Sequence, residues 1–231
     1  MQHYRNVTII GTSHIAENSV LEVESEFKRQ DPGIVAIELD RGRLHALIKN
    51  EKPSYSPRLI GQIGMTGYFF AVIGGLVQKR LGSLVGMNPG SEMLAAANLA
   101  RNAKKKVALI DQDVRVTLRR LSQEFSFREK MRLLWDLIAS PFSGQVKIDL
   151  RRVPEKELVR KLISMLKKRY PGIYKALIHE RNHFMASRLC ALALQFPGEK
   201  IIAVVGAGHE EEIAKLLEQK MGAAAGQEKL I

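Results

Sequence analysis

Three features of this 231-residue sequence predict an α/β fold: a mostly parallel sheet with strand–helix alternation and a helical insertion covering one end. Four short apolar runs show no polar alternation, as expected of parallel strands buried on both faces. Each run is followed by a helical pattern, the order that βαβ units produce. Between residues 114 and 196 the pattern is almost wholly helical, so this stretch is placed over one end of the sheet, inside a single domain spanning 1–231.

In chain order, "VTII" (7–10) is the first strand. Asn18 or Ser19 opens the next helix, which runs through "VLEVESEFKRQ" and stops before Asp31-Pro32-Gly33. "IVAIEL" (34–39) is the second strand. "LIGQIGMTGYFFAVIGGLV" (59–77) carries no charge over 19 positions, close to the length that crosses a bilayer. Gln62, Thr66 and five glycines keep its hydrophobicity modest, and "QKRLGSLVG" follows it. A buried or amphipathic helical hairpin is therefore expected here, ahead of a membrane-dipping segment. Pro89-Gly90 precedes "SEMLAAANLARNA" (91–103), a helix with Ser91 as its expected cap. "VALI" (107–110) and "IIAVV" (201–205) complete the strands.

Composition narrows the setting. One cysteine, Cys190, excludes an internal disulfide framework and suits a reducing compartment. "MQHYRNVTII" holds no signal-peptide core, so a cytoplasmic protein is expected, with membrane association left open. A formal net charge of +12 favours anionic partners. The basic residues are scattered, however, with few aromatics among them and no nucleic-acid motif. Solvated helix faces are expected and specific nucleic-acid binding is not. Peripheral membrane contact through 59–77 and the basic faces, and self-association into a homo-oligomer, stay open.

Chemistry is expected at the strand ends, because ligands of open parallel sheets bind outside the carboxyl ends of the strands. The first strand runs into "GTSH" (Gly11–His14) and the fourth into "GAGH" (Gly206–His209). Glycine permits a tight strand-to-helix turn and close backbone approach to a ligand. The second strand ends in Glu38 and Asp40, and the third in Asp111. Two histidines and a carboxylate can ligate a divalent metal, or act as base and orienting group. The plainer readings are a local pairing of Glu38 with Arg41 or Arg43, and Asp111 as the cap of the next helix.

Taken together, "GTSHIAENSVLEVESEF", "IVAIELDRGRLHAL", "NPGSEMLAAANLARN", "KVALIDQDVRVTLRR", "HERNHFMA" and "VVGAGH" resemble the TraB/PrgY family, itself distantly related to the Tiki and GumN proteins. The resemblance runs in order from residue 9 to about residue 212. The family is marked by two Gly-x-x-His motifs, a strand-end glutamate and an Arg-Asn element within a helix. Those features fall here on His14, His209, Glu38 and Arg181-Asn182, and Glu92 of "GSEM" matches as well. Tiki relatives are described as metal-dependent proteases and PrgY as an inhibitor of a peptide pheromone. Many relatives continue into C-terminal hydrophobic helices.

"HERNH" (179–183) also fits the H-E-x-x-H pattern of zinc proteases. Projected at about 100° per residue, the apolar residues of this helix cluster on one side. Arg181 falls near the middle of that stripe and Asn182 on its flank, whereas His179 and His183 fall opposite. A core-facing arginine must find a buried carboxylate or a substrate anion. The zinc-protease reading also lacks a well-placed third ligand. Cys190 is expected to serve packing, and His3 and His45 to face solvent.

The expected activity is therefore hydrolysis of a peptide or amide bond by a metal-activated water. His14 and His209 would hold Mn, Co or Zn, and Glu38, Glu92, Arg181 and Asn182 would act as catalytic groups. Gly11, Gly206 and Asp111 would contact the ligand, a peptide or a small anionic substrate. The alternative is a peptide-binding or pheromone-sequestering protein without turnover.

Overall fold

A computed structural model describes residues 1–12, 17–51, 56–85, 90–139 and 155–228. Strands β1 (Gln2–Tyr4), β2 (Val7–Thr12), β3 (Ile34–Ile37), β4 (Lys106–Leu109) and β5 (Ile201–Gly206) form one sheet in the order β1-β2-β5-β3-β4. β2, β5, β3 and β4 run parallel, and β1 pairs antiparallel with β2. The four apolar runs are the four parallel strands, so the predicted α/β class stands. β1 escaped the sequence reading because "QHY" is short and half-polar, as edge strands are.

Every residue of β2, β3 and β5 is buried, because helices cover both faces of the sheet. On one face Val7, Ile9, Ala36, Ala203 and Val205 meet Met185, Leu189, Ile213 and Leu217. These last belong to α9 (Glu180–Gln195) and α10 (Glu210–Glu228). On the other face Ile10, Val35, Ile37, Ile202 and Val204 meet Val23 of α1 (Glu17–Gln30) and Met93, Ala96 and Ala100 of α4 (Ser91–Asn102). Odd and even strand residues thus enter two different cores, which is why the runs show no alternation.

α1 ends where Asp31 turns left-handed, at φ 45°. α2 (Arg41–Lys49) is capped by Asp40, whose carboxylate accepts the Arg43 N–H at 2.9 Å. α4 departs from expectation at its start. Gly90, at φ 89°, is the N-cap, and Ser91 is already helical and makes no cap bond. The following chain reaches α5 (Val114–Glu124), capped by Asp113 rather than Asp111.

The expected hairpin at 59–77 is instead one helix, α3 (Ile60–Val85), broken only at Gly64, where φ is 75°. Ser122 of α5 repairs that break: its hydroxyl donates to the Ile63 carbonyl and accepts from the Gly67 N–H, each at 2.6 Å. A Cβ on Gly67 would stand 2.5 Å from the Leu118 carbonyl oxygen, so glycine sets how closely α3 approaches α5. α5 covers only one side of α3, so the segment is largely exposed rather than buried.

Helices α5, α6 (Phe127–Ala139), α7 (Glu155–Arg169), α8 (Pro171–Tyr174) and α9 lie between β4 and β5, where the helical insertion was expected. They share a third core of Leu121, Phe125, Ile173 and Ala176, joined by Phe70, Leu133 and Leu166. Ser126 and Glu129 form a reciprocal capping box at the start of α6. Glu129 also accepts the Gly172 N–H at 2.8 Å, tying α6 to α8. Between α8 and α9, Lys175–His179 form a π-helical turn.

Candidate functional site

Parallel pairing places the ends of β3, β4 and β5 side by side, so Glu38, Asp111 and the Gly206–His209 segment leave the sheet at one edge. β2 lies next to β5 with Thr12 opposite Gly206, so the two Gly-x-x-His segments begin on neighbouring strands. His14 itself lies outside the described residues. α9 crosses this edge and delivers Arg181 and Asn182.

Arg181 is the hub. Its Nε and Nη2 donate to the two Asp111 oxygens at 3.0 and 2.7 Å, and Nη2 also donates to Glu38 Oε1 at 2.5 Å. Nη1 donates to the Leu177 carbonyl and to His209 Nε2, each at 3.2 Å. A bidentate guanidinium–carboxylate pair of this kind fixes orientation as well as charge. Arg43 adds a second cation on Asp111 at 3.2 Å. The plainer readings of the carboxylates hold only in part, since Arg43 acts on Glu38 through charge without bonding it. Glu38 pairs across the fold with Arg181 rather than with Arg41 or Arg43, and Asp111 holds Arg181 rather than capping α5.

A second chain of bonds runs from His209 outward. His209 Nδ1 lies 2.5 Å from Asn182 Oδ1, and Asn182 Nδ2 donates to Glu212 Oε2 at 2.8 Å. The amide oxygen can only accept and the guanidinium can only donate. These partners assign His209 as the Nδ1–H tautomer, with its Nε2 lone pair turned to Arg181. Glu212 further accepts from Tyr174 Oη at 3.2 Å and meets His179 Nδ1 at 3.1 Å.

Burial sets the protonation states. It pushes the Glu38 carboxyl up, but His209, Arg181 and the Gly206 N–H at 2.7 Å outweigh it and hold the group down at about 2. Burial lowers His209, with Arg181 acting in the same direction, so the imidazole is neutral at pH 7. Burial alone would lower Arg181, yet Glu38 and Asp111 hold it above its usual range. Burial raises Glu212, and its bonds to His179, Asn182 and Tyr174 bring it below the usual carboxylate range. The site thus sets an imidazole held low by burial beside the Arg181 guanidinium and the Glu38 carboxylate.

The expected site residues divide. Glu38, Asp111, Arg181, Asn182 and His209 come together. Gly206 contributes its N–H to Glu38. Gly11 serves differently from the expectation: it is extended within β2, and the Glu210 side chain occupies the space a Cβ would fill. Among the described residues, positive-φ glycines are Gly64 and Gly90, so neither motif glycine at a strand end makes a left-handed turn. Glu92 is buried in the first turn of α4. Arg43, expected beside Glu38, is bonded to Asp111 instead, and Glu212 and Tyr174 were missed because no local pattern marked them.

The helix phase also shifts. Asn182, fully buried, sits at the centre of the core-facing side of α9, Arg181 at its border, and Phe184 is exposed. Tyr174, Leu177 and Ile178 precede or lie in the π turn, so a uniform projection that joins them to the apolar residues of α9 is out of step with the helix. The outer pair of HERNH bears no catalytic geometry. His183 is exposed, and His179 is bonded to Glu212 with its ring 4.6 Å from that of His183. Glu180 is bound by Arg120 at 2.6 Å rather than facing a metal. Cys190 is buried, as expected of a packing residue.

A divalent ion on His209 requires its free lone pair. That lone pair accepts from Arg181, and the nearest carboxylate oxygen, Glu38 Oε1 at 3.5 Å, is bonded to the same guanidinium. Among the described residues no group of three or more His, Cys, Asp or Glu side chains is placed to hold a metal. Among the described donors, Arg181 occupies the point where Glu38, Asp111 and His209 converge, and His14, the other expected ligand, lies outside the described residues.

A family model, TraB/PrgY/gumN family, matches residues 2–221. The chain is 34% identical over 220 residues to an uncharacterised protein of Methanocaldococcus jannaschii, covering 93% of this chain and 54% of that protein. It is 24% identical over 235 residues to TraB domain-containing proteins of Homo sapiens and Mus musculus, covering 90% of this chain and 62% of each. The chain thus spans between half and two thirds of the length of these relatives.

Proposed function

We propose, for a chain that belongs to the TraB/PrgY/gumN family, that the buried cluster at the carboxyl edge of the sheet hydrolyses a peptide or amide bond. One observation carries this reading: an oriented, neutral imidazole nitrogen lies 3.2 Å from a buried guanidinium nitrogen. A base and an oxyanion-stabilising cation side by side are the two parts that acyl hydrolysis needs.

His209 Nε2 takes a proton from water as the water attacks the carbonyl carbon, and the imidazolium returns it to the leaving nitrogen as the C–N bond of the tetrahedral intermediate breaks. Asn182, itself held by Glu212, keeps the imidazole in the required tautomer, as a third group orients the base in other hydrolases. Arg181 receives the developing oxyanion, and Glu38 and Asp111 fix the guanidinium. Substrate and water must enter between Nε2 and Nη1, so binding has to widen that contact. Glu92 keeps its catalytic place on the resemblance alone. His14 keeps on the same ground a place as a second imidazole at the edge. No step here is routed through a metal ion.

A mixed peptide library incubated with the protein, with and without added manganese, cobalt or zinc, tests the reading by mass spectrometry. Cleavage that disappears in His209→Ala and Arg181→Ala supports it. Cleavage that persists in both variants overturns it. A second reading, peptide binding without turnover, rests on the fact that each acceptor at the hub already has a donor. Retention of library peptides with none cleaved would decide for it.

A further inference from the structure

α3 presents an unusual surface. The segment Pro57–Leu76 is uncharged but for Arg58, is strongly apolar, and is for the most part not buried. Met65, Phe69, Ile73 and Leu76 recur at helical spacing and are 67%, 50%, 38% and 63% exposed. α6 carries a second such stripe: Phe127, Met131, Leu134 and Trp135 are 75%, 48%, 49% and 68% exposed. Both helices lean on the same small core, Phe70 from α3 and Leu133 from α6, and each leaves its stripe exposed. Two exposed apolar stripes of this length are unusual on a surface that meets only water.

The charges around the stripes favour one occupant. On α6, Lys130 flanks the apolar stripe on one side and Arg128 and Arg132 on the other, and all three are exposed. Arg58 precedes α3, and exposed Arg119 donates to the Gln62 carbonyl at 2.9 Å beside it. Apolar stripe, tryptophan and basic rim together are the pattern of a helix lying in the interface of an anionic bilayer. α3 cannot sink across the bilayer as a free span. Gly67 and Phe70 hold its other side against α5, which carries Arg115, Arg119 and Arg120.

We infer that the outward faces of α3 and α6 form a docking surface for an anionic phospholipid bilayer, with Phe69, Met131 and Trp135 entering the headgroup boundary and Arg119, Arg128 and Lys130 meeting the lipid charge. This surface is independent of the hydrolytic reading. Trp135 is the sole tryptophan, so its emission reports directly on the contact.

The full chain is mixed with vesicles of phosphatidylcholine alone or with added phosphatidylserine, at low and high salt. The expected result is a blue shift of Trp135 emission and co-sedimentation with the phosphatidylserine vesicles, both weakened by salt. Phe69→Glu with Met131→Glu, two exposed positions that leave the helices intact by circular dichroism, lowers binding by roughly tenfold or more. Unchanged emission with anionic vesicles overturns the inference, as does binding that the double variant leaves intact. A concentration-dependent dimer that forms without vesicles and is broken by the same variant would assign the face to a second copy of the chain and also overturn it.

Discussion

Arg181 lies bidentate on Asp111, Nε at 3.0 Å from one carboxylate oxygen and Nη2 at 2.7 Å from the other, joining residues 70 positions apart. The pair locks α9 to the end of β4 and points the remaining guanidinium nitrogen at His209. It is at once a fold contact and the frame of the candidate site.

Removing the hub leaves two anions buried. Arg181→Met should therefore destabilise the protein by about 3–5 kcal/mol in urea unfolding, the usual cost of stripping one partner from a buried ion pair. Arg181→Lys keeps the charge but loses the fork, so it should recover only part of that loss. A loss below about 1 kcal/mol for the methionine variant would show that the pair is solvated and not a hub.

Acid should weaken the fold in two stages. His209 is depressed below its ordinary value of 6.5, so the unfolded chain takes up the proton first and stability falls as pH drops below that value. Glu38 is held at about 2 against an ordinary 4.5, so its contribution is present above 4.5 and lost between 4.5 and 2. Urea midpoints measured from pH 8 to pH 3 should decline through both windows. Glu38→Gln should flatten the lower window and, by removing the anion that raises His209, widen the upper one.

Asn182 fixes the tautomer of His209. Asn182→Ala leaves a buried imidazole N–H and the Glu212 carboxylate each short of a partner, at a cost of about 1–3 kcal/mol. Nitrogen-15 shifts of His209 should show the Nδ1–H form in the parent and a mixture in the variant. Under the hydrolytic reading the turnover number should fall more than the KM rises, because orientation of the base is lost rather than substrate contact.

The close approach of α3 to α5 depends on Gly67. A methyl group there meets the Leu118 carbonyl, so Gly67→Ala should cost about 1–3 kcal/mol through overpacking. Gly61→Ala, with open space around its Cβ, should be neutral or stabilising through helix propensity. Thermal melts of the two variants separate the effects.

Local chemistry alone determined a good deal. Runs of apolar residues buried on two faces must be parallel strands, so β2 to β5 and the edge at which they end could be read directly, with Glu38, Asp111 and His209 at their ends. A core-facing arginine demands a carboxylate, so the existence of a buried partner for Arg181 was readable too. Only the tertiary structure decided which partner. Asp111 and Glu38 reach Arg181 across 70 and 143 positions, and no local period carries that information. The π turn before α9 shifted the helix phase and put Asn182, not Arg181, at the centre of the buried side. The exposure of α3 was likewise beyond sequence, since an uncharged helix reads the same whether protein or open surface surrounds it.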